Sequence, residues 1–183
     1  MKLIRHRGGA DVSLGDVATA ARLSRQAIYL HFEDRADLLI SLVQHVDEMR
    51  GLGEKLRGIR AAPSGVEAVR EIVALQAQDN PILWPIALFF DTVRRSDAAV
   101  ERAWQDRLNH RLEECRAVIA RLQKEKMLRR RLDPATAADI LWTMTSLRMW
   151  EDLVLLRGWS ADQYARQVTE MLRVALIGER ERG

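Results

Sequence analysis

At 183 residues with 48% apolar and 30% charged content, the chain can bury a real core and is too apolar to stay disordered. Twenty-nine Lys and Arg nearly cancel twenty-six Asp and Glu, leaving +3, so any anionic partner must be met by a local patch rather than by overall charge. The single Cys115 excludes an internal disulfide and fits a reducing, cytoplasmic setting.

Helix is favoured nearly everywhere, because Ala, Leu, Arg and Glu are abundant while Pro and Gly are few. Met1–Arg7 reads as a fragment of helix stopped by Gly8 and Gly9, and it lacks the apolar run of a signal peptide. Ser13, with Asp16 three residues on, has the spacing of a capping box and opens a second segment ending near Arg22. Ser24 caps a short helix through His31. Asp34 then caps a longer one carrying Leu38, Leu39, Leu42, Val43 and Val46 at helical spacing.

Residues 50–65 carry Gly51, Gly53, Gly58, Pro63 and Gly65, which predicts a frayed helix end and a connector. Val66–Gln78 is periodic and should stop at Asn80-Pro81, where proline removes a helix donor. Pro81–Arg95 is apolar on nearly all sides and predicts a central helix. Its stretch ILWPIALFF is half the length a bilayer span needs, so no membrane partner is expected. Asp97–Met127 is one long amphipathic helix, Asp133-Pro134 opens another ending at Gly158, and Ser160 caps a last one ending at Gly178. No strand signal and no internal repeat competes with this all-α pattern.

Catalysis finds little support. The four histidines are scattered with no second His or Cys at helical spacing, and Cys115 lies nearly opposite His110 on its helix. No H-E-x-x-H, C-x-x-C, phosphate loop or G-x-S-x-G occurs, so neither an enzyme, a metal nor a cofactor is expected. The N-terminal block is more informative. Two short helices joined by Arg22-Leu23-Ser24 have the dimensions of a helix-turn-helix. In its second helix Ser24 can cap and offer a hydroxyl to phosphate. Arg25 can fork onto guanine or hold phosphate, Gln26 can pair with adenine, and Ala27 can touch a thymine methyl. Tyr29 and His31 carry polar tips suited to phosphate, with Arg35 near the same surface, while Ile28 and Phe32 face inward. Taken singly, Arg25 is ordinary solvated surface and Tyr29 an ordinary packing residue; their joint spacing carries the DNA-binding reading.

The run SLGDVATAARLSRQAIYLHFEDRADLL, Ser13 to Leu39, resembles the DNA-binding domain of the TetR family of transcriptional repressors. The resemblance implies phosphate contacts at Ser24, Tyr29 and His31. It also implies groove-facing positions at Arg25, Gln26 and Ala27, and Arg35 in place of a backbone-binding lysine. Arg22 departs from the glycine common in the turn. Leu3–Gly8 resembles only the end of the family's first helix, which implies either that most of that helix lies upstream of Met1 or that this is a degenerate member with weak DNA binding.

The fold expected is therefore all-α: a three-helix head over 1–49, a connector over 50–65, and a helical bundle over 66–183 that binds an effector and dimerises. The resemblance implies a double-stranded, palindromic DNA operator, a homodimer and a small-molecule effector. Trp84, Phe89, Phe90, Trp104, Cys115, Trp142 and Met149 are candidate pocket residues, with Asp91, Arg94, Asn109 and His110 as polar contacts; each aromatic is equally readable as plain core. Leu141, Leu153, Leu155, Leu156, Tyr164, Val168, Met171, Leu172 and Leu176, on the last two helices, are the expected dimer surface. Two rival readings remain at this point: an all-α small-molecule carrier or enzyme without DNA binding, and a protein-interaction module.

Overall fold

A computed structural model describes residues 32–178. Its helices are α1 (Arg35–Met49), α2 (Leu52–Arg60), α3 (Gly65–Val93), α4 (Ala98–Lys124), α5 (Pro134–Met144), α6 (Leu147–Trp150) and α7 (Ala161–Leu176), with a π-helical segment at Glu151–Leu156 between the last two. No strand forms among the described residues; the one isolated bridge pairs Leu128 with Ile177. The chain groups into two compact units. Unit one is the described part of Met1–Arg50 together with Pro85–Leu108, and unit two is Gly51–Trp84 with the described part of Asn109–Gly183.

Within unit one, α1 starts where the sequence places it. The Asp34 carboxylate accepts from the Asp37 backbone N–H at 3.0 Å, and Asp37 returns the favour by accepting from Glu33 N–H at 3.2 Å. Two exposed helix-start donors are thereby satisfied reciprocally. Leu39 packs with Phe90 and Val93 of α3 and with Val100 and Ala103 of α4, which forms this unit's apolar core. Gly51 ends the α1 turn at φ 64°, a left-handed conformation that costs a Cβ-bearing residue and not glycine.

Unit two begins with a correction. Residues 52–60 are helical rather than a loop, and Ile59 is buried against the core. Leu52, Leu56 and Ile59 share one face, and burying that face outweighs the weak helix propensity of Gly53 and Gly58. A second correction concerns α3, which runs unbroken through Asn80-Pro81 and on past Pro85. Each proline deletes one ladder donor. Burial of Val69, Ile72, Val73 and Ala77 on one side of the break, and of Ala87, Phe90 and Val93 on the other, keeps the segment helical. The changeover between the two units along α3 falls at Trp84-Pro85.

The third correction lies in the segment expected to run unbroken from Pro134 to Gly158. Its first part starts as expected, Asp133 accepting from Thr136 N–H at 2.9 Å with Pro134 in the first turn. At Thr145 the hydroxyl turns back to the Leu141 carbonyl, and Ser146 caps a new turn by accepting from Met149 N–H at 3.1 Å. The backbone then widens, Arg157 N–H reaching the Asp152 carbonyl, before Gly158 at φ 72° releases the chain. Ser160 caps α7, whose Tyr164, Val168, Leu172 and Leu176 are all fully buried. Four positions at intervals of four residues make one continuous stripe. The end of α7 is tied to the α4–α5 connection by Arg129 N–H on the Leu176 carbonyl and Gly178 N–H on the Met127 carbonyl.

Candidate functional site

The base- and phosphate-facing candidates Ser24, Arg25, Gln26, Ala27, Tyr29 and His31 lie outside the described residues. Arg35 opens α1, and only its backbone is described. What the structure does describe is how α1, the helix that follows this motif, is held. At its start, Arg102 of α4 donates to the Asp34 carboxylate. At its end, Asp47 accepts from Arg107 of α4 and sits 3.6 Å from Arg50. The two pairings differ in burial. Asp34 and Arg102 are 44% and 62% exposed, whereas Asp47, Arg50 and Arg107 are 15%, 10% and 25% exposed. The exposed pair adds little, and the half-buried cluster is the one whose disruption strands charge away from water.

The candidate effector residues divide between the units. Phe90 and Trp104 stack on one another in unit one, 5.6 Å between centroids and 24° between planes. The Phe89 side chain lies outside the described residues. Arg94 donates to Asp91 and Glu101 on its own side of unit one, so these polar groups satisfy each other. Trp84, Cys115, Trp142 and Met149 belong to unit two. Trp84 tilts against Trp150 at 6.3 Å, and Met149 and Trp142 pack half-buried on the main core. Asn109 and His110 are exposed.

Arg111 is the residue that sequence reasoning missed. Its guanidinium lies 5.0 Å from the Trp142 ring centroid, a cation–π distance. It donates to the Trp142 carbonyl and, at 3.1 Å, to Thr145 Oγ1. Thr145 is completely buried, and its hydroxyl passes its own proton to the Leu141 carbonyl at 2.7 Å. One turn along α4 stands Cys115, 2% exposed. A charged residue on a long amphipathic helix reads as solvated surface; only its spacing, i−4 from the buried Cys115, could have placed it on the inward face.

Burial disfavours ionisation of the Cys115 thiol and the Tyr164 phenol. Desolvation raises the Cys115 thiol from 9.0 to about 11, against a smaller opposing pull from Arg111. Desolvation likewise raises the Tyr164 hydroxyl from 10.0 to about 12, again opposed by Arg111. Both raised values favour the neutral folded form. Their contribution is complete below the unfolded values and is lost as pH rises from 9 to about 11 for the thiol and from 10 to about 12 for the phenol. Alkaline unfolding monitored by circular dichroism should therefore set in above pH 9. Cys115 should resist iodoacetamide near pH ~8 until denaturant exposes it; rapid alkylation of the folded chain would show the thiol to be accessible.

The expected dimer surface also needs correction. Leu141, Tyr164, Val168, Leu172 and Leu176 are fully buried in the chain's own core and cannot face a partner. Leu155 (49%), Leu156 (69%) and Met171 (36%) remain exposed, and Val174 (51%), absent from the sequence-based set, joins them. The apolar stripe of α7 is satisfied internally, and what is left over lies on the π-helical segment and on the outer side of α7. No described helix is long and apolar enough to cross a membrane. No group of three His, Cys, Asp or Glu among the described residues could hold a metal.

The described residues form an all-helical chain in two compact units. Residues 1–42 match the family model described as bacterial regulatory proteins, tetR family. No curated protein matches the sequence. Among solved structures the fold is similar to the SmeT–triclosan complex, at 18% identity and TM-score 0.68 over 97% of this chain and 88% of that one. It is similar to NalD, the secondary repressor of the MexAB-OprM multidrug efflux pump in Pseudomonas aeruginosa, at 21% identity and TM-score 0.63 over 98% and 93%. A transcriptional regulator of the TetR/AcrR family from Thermobifida fusca matches at 23% identity and TM-score 0.55 over 93% and 90%. At these identities the likeness is one of fold.

Proposed function

We infer that the chain is a homodimeric transcriptional repressor that binds a palindromic DNA operator through residues 24–35 and is released from it by a small apolar effector held in unit two. The single observation that carries this reading is the match of residues 1–42 to the tetR family of regulatory proteins, within which Ser24, Arg25, Gln26, Tyr29 and His31 supply the donors that phosphates and base edges need. SmeT, solved with triclosan, supports an effector role for the helical bundle. Trp84, Cys115, Trp142 and Met149 are the effector contacts in this reading; Phe90 and Trp104 act as core of unit one.

The exposed Leu155, Leu156, Met171 and Val174 are the apolar surface available for a second copy. A two-fold dimer presents two reading heads and so asks for a two-fold operator. Helix α4 belongs to both units, so a ligand that reorders it acts on the element to which Asp47 and Asp34 anchor α1. For release, the ligand must favour the arrangement that does not bind DNA.

A gel shift with duplex from upstream of the chain's own gene tests this. A complex that is sequence-preferring, weakened by salt and of dimer stoichiometry is expected. A chain that stays monomeric, or that binds all duplexes alike, would count against it.

A further inference from the structure

The connection between α4 and α5 reads KEKMLRRR over residues 124–131, five cations against one anion. The simplest account is a solvated turn. For Lys124 that suffices, since a cation at the C-terminus of α4 suits the helix dipole. The other cations lie beyond the helix, and Lys126, Arg129 and Arg131 are exposed. The lone anion, Glu125, is committed elsewhere: it accepts from Gly65 N–H and from Arg121, each at 2.8 Å. The next acid along the chain, Asp133, caps α5. Arg129 donates to the Val174 carbonyl, which leaves its charge uncompensated. Neither Lys126 nor Arg131 meets a carboxylate among the described residues.

Two further observations set this turn apart from an ordinary charged loop. Lys126 and Arg131 sit at φ 58° and φ 66°, the left-handed region that glycine occupies at lower cost. No other non-glycine position among the described residues does so. Cations therefore stand where the backbone alone would favour no side chain. That backbone is also fixed. Arg129 N–H bonds to the Leu176 carbonyl at 2.8 Å, Gly178 N–H to the Met127 carbonyl at 2.9 Å, and Met127 N–H to the Leu122 carbonyl at 2.8 Å. A fixed backbone lowers the cost of holding several cations against one polyanion. The chemistry narrows the partner. Met127, Leu128 and Leu132 pack on the core of unit two, so they are not free to enter a lipid surface. Two of the three uncompensated cations are arginine, whose guanidinium forks onto phosphate oxygens.

We propose that the turn over residues 124–131 in unit two binds the phosphodiester backbone of a nucleic acid, a sequence-independent contact additional to the helix-turn-helix. The choice of nucleic acid over other polyanions rests on the chain being a DNA-binding regulator.

The test is fluorescence anisotropy of the full chain with random duplex, titrated against salt, for the natural chain and for Lys126→Gly combined with Arg131→Gly. The glycine pair is expected to flatten the plot of log affinity against log salt by about two, and to cost more than about tenfold in affinity. Its melting temperature should be unchanged or higher, because glycine relieves both left-handed positions. The same flattening is expected when Arg25→Ala and Gln26→Ala are also present. An unchanged slope would overturn the proposal. A lower melting temperature with an unchanged slope would show that the two residues serve the fold, and would overturn it equally. Poly-glutamate or phosphatidylserine vesicles bound as tightly as duplex, and lost with the glycine pair, would overturn the choice of nucleic acid. A natural chain with no operator preference, yet with the flattening intact, would count against the helix-turn-helix reading and leave this contact standing.

Discussion

Asp47→Ala is expected to lower the unfolding free energy by about 3 kcal/mol, read as a shift of the urea midpoint, because it takes a carboxylate partner from two largely buried guanidinium groups. Asp47 accepts from Arg107 and lies 3.6 Å from Arg50, with all three side chains at most 25% exposed. Removing that carboxylate weakens the pairing of two partly desolvated cations, which costs more than the loss of a surface contact. The control is Glu113→Ala, which removes the Arg116 partner from a pair at 55% and 65% exposure and should leave the midpoint where it was. Because Asp47 anchors the end of α1 to α4, Asp47→Ala should also weaken DNA binding. An unchanged midpoint would mean that the cluster is solvated.

The double substitution Arg25→Ala with Gln26→Ala is expected to remove about 100-fold or more of the preference for operator over random duplex, since each two-bond base contact discriminates by about 1–3 kcal/mol. Tyr29→Phe removes a phosphate donor, and it should weaken operator and random DNA by the same factor. The contrast between the two variants separates groups that read sequence from groups that set register. Competition gel shifts on folded variants measure it. Equal losses of preference in both would reassign the base-reading role away from Arg25 and Gln26.

Helix starts were legible because capping chemistry is local. Asp34, Asp133-Pro134 and Ser160 each occupy the cap position that their side chains suggest. Helix stops were less so. Glycines at 53 and 58 and prolines at 81 and 85 argue locally against helix, yet α2 and α3 form through them, because Ile59, Val73 and Phe90 must be buried and helix is the way to bury them. The break at Thr145-Ser146 was invisible for the opposite reason: apolar spacing continues across it to Leu147 and Trp150, both packed on the core. The outward or inward sense of an apolar stripe is a tertiary fact. Tyr164, Val168, Leu172 and Leu176 suit a partner helix and an internal core equally well, and here the core takes them. Arg111 was hidden by its charge, since periodicity counts apolar residues and passes over a guanidinium that stacks on a tryptophan.

The DNA-binding role can be tested most directly by one measurement: fluorescence anisotropy of the full chain with labelled duplex from its own gene's upstream region, titrated against salt and against random duplex. The predicted result is affinity for the upstream duplex about 1,000-fold or more above random DNA, falling linearly in log salt as arginine side chains displace counterions from phosphates. Equal affinity for both duplexes, or an affinity indifferent to salt, would contradict a role in reading DNA.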